Sequence, residues 1–526
     1  MATPVAKIDS PTSAAGQAQA LMRQEQANEL IFAVVGHVGS GTTAVADQLQ
    51  ALLMDEKEGD KYDVHILKAR KVILDWAKIR GKETPPEDKD DLNVVTRLQD
   101  LGDDMRKETT DNSVVARALV GEVRARRAER VGASLDDKPI PPDGKPRAYI
   151  LDSIRHPAEV HLLRHVYQDA FVLIGVVCDE DVRRSRITSK YKNAGEGYAR
   201  EFMQRDARAK PKYGQRVSDA FHLADYFVDN TVDRKDVKEW DLPDQLSRLR
   251  KIITHSEIMR PEISETAMSY AHAAAMRSAC LSRQVGAALV DAEGNLIASG
   301  TNEVPSPGGG VYGRALHSDQ DDRCALFARN DGAFRCSNTT EQNEIISDLI
   351  ASIPELRDAS PERMFLLPLN IRETRIGDLI EFSRAVHAEM DALLSAGRAG
   401  TSTVGSKLFV TTFPCHYCAR HIVAAGVDEV QYIEPYPKSQ AVKLHSDSIT
   451  TTKVGRKPVS ESGGKVLFRP FTGVAPRLYK RAFEKDRDLK NASSGIRELG
   501  SPDWGTAWHL RRLGYTELEA LLAKPV

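Results

Sequence analysis

Two short stretches of this chain set metal-binding side chains beside a carboxylate. A single alanine separates His387 from Glu389, and two residues separate Cys415 from Cys418, with Pro414 directly before them. One imidazole and two thiolates suit zinc, whose catalytic sites take three protein ligands and leave a fourth position for water. Residues three apart lie on the same side of a helical turn, so both thiolates can face one point. Proline fits the first position of such a helix, where its missing N–H is no loss. The positive end of the helix favours the thiolate forms. Zinc lowers the pKa of bound water from 15.7 to about 7. Glu389, next to the ligand set but outside it, is placed to take up and return a proton. A structural zinc site ordinarily uses four Cys or His ligands, often as paired CxxC units. With one CxxC and one His-x-Glu, the pattern reads as catalytic.

The same pattern, H-x-E followed by P-C-x-x-C, is the signature of zinc deaminases that attack C4 of cytosine or C6 of adenine. Four segments extend the likeness. Cys280–Val290 (CLSRQVGAALV), Gly300–Pro305 (GTNEVP), His387–Glu389 and Thr412–Gly426 (TFPCHYCARHIVAAG) resemble the deoxycytidylate deaminase family across residues 262–435. Glu434–Ile449 (EPYPKSQAVKLHSDSI) and Phe471–Tyr479 (FTGVAPRLY) resemble bacterial anti-phage dCTP deaminases, which also carry a nucleotide-kinase-like N-terminal domain. The resemblance implies an α/β/α deaminase fold, a free deoxycytidine nucleotide as substrate, Zn2+ as cofactor and a homo-oligomer. It implies conversion of dCTP to dUTP and of dCMP to dUMP, with loss of dCTP starving phage DNA synthesis. It sets Asn302 against the sugar and the backbone of Ala388 against the base. Either Tyr436 or Tyr432 is available to stack on the base, although a tyrosine beside a strand is more often core.

The elements that must hold these residues are legible in outline. Pro261 opens a helix in which Ile263, Ala267, Tyr270 and Ala274 recur at helical spacing. Gln284–Val290 and Asn295–Thr301 read as a strand pair around the turn Asp291–Gly294. A helix from about Ala385, a strand Lys407–Thr411, a helix after Pro414 and a strand Glu429–Ile433 complete the unit. Residues 306–380 interrupt it as an insertion that holds His317, Cys324 and Cys336. These three could serve a second, structural zinc, but their loose spacing favours free thiols. Cys178 and Cys280 sit in apolar segments and read as core.

A second constellation lies near the N-terminus. Leu30–Gly36 reads as a buried strand that runs into a glycine-rich turn and a helix carrying Val45, Leu49 and Leu52. Gly36, Gly39, Ser40, Gly41, Thr42 and Thr43 have the spacing of a Walker A loop, with Thr42 where the lysine belongs. Backbone N–H groups in such a loop can still cradle phosphate. Without the lysine, efficient phosphoryl transfer is not expected. Arg147–Asp152, Ala170–Cys178 and Ala224–Asp229 read as further strands of a parallel sheet. Asp152 ends its strand where a magnesium-organising acid is expected. Asp152–Pro157 and Ala224–Asn230 resemble dephospho-CoA and deoxynucleotide kinases. The segment 183–216 holds eleven Lys and Arg, including Arg183, Arg184 and Arg186, and serves either as a phosphate lid or as a solvated face. These features predict a regulatory nucleotide site, with Mg2+ accompanying the nucleotide.

Length and composition bound the rest. A chain of 526 residues predicts two or more domains. With 41% hydrophobic and 28% charged residues it reads as globular. Six cysteines do not make a disulfide scaffold, the N-terminus shows no apolar stretch of signal-peptide length, and the longest apolar run, near Phe171–Cys178, is far short of a membrane helix. A cytoplasmic protein without membrane partners is expected. The net charge of -2 and 6% aromatic content argue against a nucleic-acid substrate. A nucleic-acid cytosine or adenine deaminase stays as the alternative, as does a nucleotide-sensing, kinase-like regulator carrying a housekeeping dCMP deaminase. The expected fold is α/β: an arm 1–28, a P-loop nucleotide-kinase-like parallel-sheet domain 29–245, a connector 246–261, an α/β/α cytidine-deaminase-like domain 262–480 and a tail 481–526.

Overall fold

The computed structural model describes residues 27–498 apart from 59, 88–89, 136–138, 192–194, 208, 210–211, 233–239, 314–322, 326–331, 437, 454 and 486–487. His317 therefore lies outside the described residues, as do nearly all of the arm and much of the tail. The chain divides into two compact units. Unit 1 joins residues 1–260 to 472–526, and unit 2 is 261–471.

Unit 1 is built on a sheet of β1 (Glu29–Val35), β2 (Asp63–Lys68), β3 (Arg147–Ile154), β4 (Phe171–Val177) and β5 (Tyr226–Asp229). All five are parallel to their neighbours, in the order β5-β4-β1-β3-β2. Both faces of a parallel sheet are covered, so its central strands can be apolar throughout. Every residue of β1 and β4 is buried. The charge-rich stretch 55–140 contributes β2 as well as helices. As an edge strand β2 buries only Val64 and Leu67, so its DVHILK sequence gives no continuous apolar run.

Unit 2 has β6 (Gly286–Val290), β7 (Leu296–Thr301), β8 (Lys407–Thr412), β9 (Glu429–Glu434), β10 (Ile449–Thr450) and β11 (Val466–Pro470), ordered β10-β11-β9-β8-β6-β7. The strand pairs around β6 are antiparallel and the remaining three are parallel. Successive strand residues point to opposite faces. The backbone of helix Ile263–Ala275 crowds Gly286, whereas Ala287 and Leu289 share a core with Ala392 of helix Ala388–Arg398 and Ile422 of helix His416–Ala424. Helices therefore cover both faces, giving the α/β/α layering. The described part of the insertion includes the helices Ser337–Ser352, Pro354–Arg357 and Pro361–Arg372.

Two boundaries differ from the sequence-based division. The expected connector is largely a core helix. In Leu242–Thr254, Leu246, Leu249, Ile252 and Ile253 pack beneath the unit 1 sheet, at a helical spacing that the intervening charges obscure. The chain after Phe471 also returns to unit 1. There β12 (Gly473–Val474) pairs antiparallel with Tyr226 and Phe227 on the open edge of β5, and Leu478 of helix Pro476–Phe483 joins the same core. A two-residue strand has no period to read, so residues 472–480 gave no sign of this. Among the described residues, no helix is long and apolar enough to cross a membrane.

Candidate active site

The antiparallel bridge Glu303–Val386 leads the chain into helix Ala388–Arg398, with His387 as its N-cap. Asp391 in the first turn accepts the Thr301 N–H at 3.0 Å, which ties the helix start to the end of β7. Gly300 makes the approach possible, since a Cβ there would stand 2.0 Å from the Ala388 carbonyl oxygen. Cys415 caps helix His416–Ala424, its sulfur accepting the Cys418 N–H at 3.4 Å. Helix N-termini thus present both ligand groups, as the two motifs predict.

His387 Nδ1 lies 3.3 Å from Cys415 Sγ and 3.4 Å from Cys418 Sγ. The three donor atoms all fall within 4.8 Å of one another. This nitrogen and two sulfurs match the donor chemistry of zinc and converge as a tetrahedral site requires. Its bond to Cys415 and burial push the Cys418 thiol up, while the bonds from Cys418 and His387 hold the Cys415 thiol down. Burial works against the His387 imidazolium, but its bond to Cys415 and the charge of Glu389 outweigh that, raising it to about 9. A cation bound by such donors displaces their protons. Glu389 is buried, and desolvation raises its carboxyl to about 7.

His387, Glu389 and Cys415 line a cavity of about 290 Å3, together with Asn302, Tyr436, Thr412 and Phe413. Asn302 is buried, with Oδ1 accepting from Val285 N and Nδ2 donating to Arg283 O, both at 2.6 Å. One amide N–H is left for a ligand. Ala388, between His387 and Glu389 in sequence, is buried and is not among the residues lining the cavity. Tyr436 is on the cavity, while Tyr432 packs edge-on against Phe413 with ring centres 4.8 Å apart. Cys280, read as core, lines the cavity, because the chain from Ser278 to Val285 forms its wall. Sequence reasoning missed Arg283 and Lys438, which also line it. Their one signal was position, inside the segments CLSRQVGAALV and EPYPKSQAVKLHSDSI. Among the described residues, Cys324 and Cys336 join no metal-binding group, and Cys336 Sγ sits 3.4 Å from Ser282 Oγ.

In unit 1 the glycine loop connects β1 to helix Thr42–Met54. Gly41 caps that helix at φ +87°, a conformation that favours glycine. Asn230 Nδ2 donates to Ser40 O at 2.8 Å, Asp206 accepts Val38 N–H at 2.8 Å, and Thr43 Oγ1 donates to Asp152 at 2.9 Å. Of the basic segment, Arg186 reaches the Gly39 carbonyl at 3.5 Å, whereas Arg184 pairs with its neighbour Asp181. Cys178 is half-buried beside Arg186 rather than in the core, because it follows the last residue of β4.

Residues 261–434 match the family model described as the cytidine and deoxycytidylate deaminase zinc-binding region. The deoxycytidylate deaminase of Enterobacteria phage T4 is 28% identical over 179 residues, which is 34% of this chain and 80% of the phage protein. ComE operon protein 2 of Bacillus subtilis (strain 168) is 41% identical over 54 residues, 10% of this chain and 29% of that protein. The dCMP deaminase of cyanophage S-TIM5, solved with dCMP and dUMP, is 22% identical, with a TM-score of 0.22 over 40% of this chain and 98% of its own. Within unit 2, residues 261–434 are thus similar to the zinc-binding region of the cytidine and deoxycytidylate deaminases.

Proposed function

We propose that this protein is a zinc-dependent deaminase of free deoxycytidine nucleotides, converting dCTP to dUTP and dCMP to dUMP. The convergence of His387, Cys415 and Cys418 beside the buried Glu389 carries this reading. Zinc held by those three ligands supplies the Lewis acid that makes water acidic enough to attack at neutral pH. Glu389 takes the proton of the attacking water and passes it to the exocyclic amine, which leaves as ammonia while the ring becomes uracil. Tyr436 and Phe413 offer the base apolar ring surface, and Asn302 has one amide N–H for the sugar. Removal of dCTP in anti-phage defence, by a homo-oligomer, is the role that fits a triphosphate substrate.

Unit 1 is assigned in the same reading as a regulatory nucleotide site of P-loop, kinase-like design. The loop from Gly36 to Thr43 offers a helix N-terminus, and Thr43 and Asp152 offer a hydroxyl and a carboxylate 2.9 Å apart. Hard oxygen donors suit Mg2+, which would neutralise phosphate charge there. Thr42 supplies no cation for phosphoryl transfer.

Ammonia release by the zinc-loaded protein, with dCTP, dCMP and single-stranded DNA assayed side by side, tests the assignment. Free nucleotides are expected to react, and Glu389→Ala is expected to lower turnover by about 1,000-fold while zinc stays bound. Unchanged turnover in that variant removes Glu389 from the chemistry. Reaction of the DNA alone moves the assignment to a nucleic-acid deaminase.

A further inference from the structure

The unit 2 cavity changes character along its depth. Cys415 and Glu389 are buried, whereas Arg283 and Lys438 keep 44% and 49% of their side chains exposed. Deamination puts the base amine against Glu389, so the other end of a nucleotide must point toward those two cations. Each cation is already engaged. Arg283 Nη1 lies 3.0 Å from Glu434 Oε1, with its guanidinium carbon 5.7 Å from the centre of the Tyr436 ring. Lys438 Nζ lies 2.7 Å from Asp378 Oδ1 and 3.2 Å from the Gly377 carbonyl oxygen. Asp378 belongs to the insertion, at the end of the short turn Arg375–Asp378.

We propose that Arg283 and Lys438 are the phosphate-reading residues of this cavity, and that Asp378 occupies Lys438 until a nucleotide displaces it. The proposal rests on the deaminase reading, because that reading fixes which end of the substrate faces the cations. Ion pairs at this exposure contribute little to stability, so exchanging a carboxylate for a phosphate is inexpensive. A phosphate carries more negative charge than a carboxylate and offers more acceptor oxygens, and a guanidinium can grip two of them at once. An uncharged nucleoside leaves both pairs intact and gains nothing from them. Two cations serve a polyphosphate better than a single phosphate, so Lys438 favours the triphosphate.

The test measures Kd for dCTP, dCMP and deoxycytidine by calorimetric titration of the full chain with zinc, in a Glu389→Gln background, alongside kcat/KM in the otherwise unaltered protein. Lys438→Ala is expected to lower the preference for dCTP over deoxycytidine by about tenfold, the loss of one charge-assisted contact. Lys438→Arg should restore most of it. Asp378→Asn should tighten dCTP binding, because it frees Lys438, and no folding defect gives that sign. Equal losses for nucleoside and nucleotide, or weaker dCTP binding by Asp378→Asn, overturn the proposal. Lys438-dependent dCTP binding without turnover of any substrate sinks the deaminase reading and leaves the phosphate site standing. Absence of nucleotide binding overturns both.

Discussion

The two units treat their functional polar atoms in opposite ways. In unit 2 the donors face one another: His387 Nδ1 and the sulfurs of Cys415 and Cys418 crowd a single point. Such a cluster is stable only when a cation completes it or protons are shared across it. In unit 1 several groups of the glycine loop already have partners elsewhere in that unit. Asp206 takes the Val38 N–H, Asn230 takes the Ser40 carbonyl, and Asp152 takes the Thr43 hydroxyl. Ser40 Oγ, by contrast, is buried and has no hydrogen-bond partner. A site built to be completed from outside suits the chemistry proposed for unit 2, and a loop held by its own unit suits the binding role proposed for unit 1.

The largest effect that can break this comparison is at the metal. Cys418→Ser should remove zinc and lower deamination by more than the roughly 10- to 100-fold that loss of an outer-shell partner costs. Thr43→Ala, in the other unit, should leave zinc content unchanged. Metal analysis and ammonia release on both variants settle this. Zinc retained in Cys418→Ser, or lost in Thr43→Ala, removes the proposed division of labour.

A smaller effect tests how the ligand helix is held. Gly300→Ala puts a methyl group 2.0 Å from the Ala388 carbonyl oxygen and 2.4 Å from Ala392 N, so the helix carrying His387 must shift off β7. Backbone cannot yield as a side-chain tip does, and about 3 kcal/mol of destabilisation is expected, the upper end for overpacking. Thermal melting gives the loss, and metal analysis shows whether His387 moves with the helix. A variant of unaltered melting temperature and zinc content would show that helix and strand are not coupled here.

Legibility in the sequence followed the same divide. The grouping of His387, Cys415 and Cys418 beside Glu389 could be expected because zinc chemistry constrains residue type and the helix turn constrains spacing. The parallel strands β1, β3 and β4 could be read because both of their faces are covered, giving unbroken apolar runs. The return of β12 could not, since two residues on a sheet edge leave no pattern. Helix Leu242–Thr254 was hidden because its apolar positions are interrupted by charges, one of which, Arg250, is itself buried and donates to the carbonyls of Leu52, Asp55 and Asp60. Arg283 and Lys438 escaped because an exposed cation in a loop is ordinarily just a solvated charge.

The smallest effect sharpens the comparison through two histidines of opposite character. His387 is raised by its anionic neighbours, whereas burial lowers His156 of unit 1 to about 4 from its ordinary 6.5. His156 caps helix Pro157–Tyr167, its Nδ1 accepting the Ala158 N–H at 3.1 Å, a role that needs the neutral ring. Because the folded state resists protonation, its contribution is complete above the unfolded value and fades as pH falls from 6.5 toward 4. Between pH 7.5 and 5.5 this amounts to about 1.3 kcal/mol. Asparagine is a good helix cap that does not titrate, so His156→Asn should keep the helix and lose this increment. Hydrogen exchange of the β1 and β3 amides in the full chain at the two pH values reads the difference. If His156→Asn keeps the whole acid sensitivity of those strands, some other group carries it.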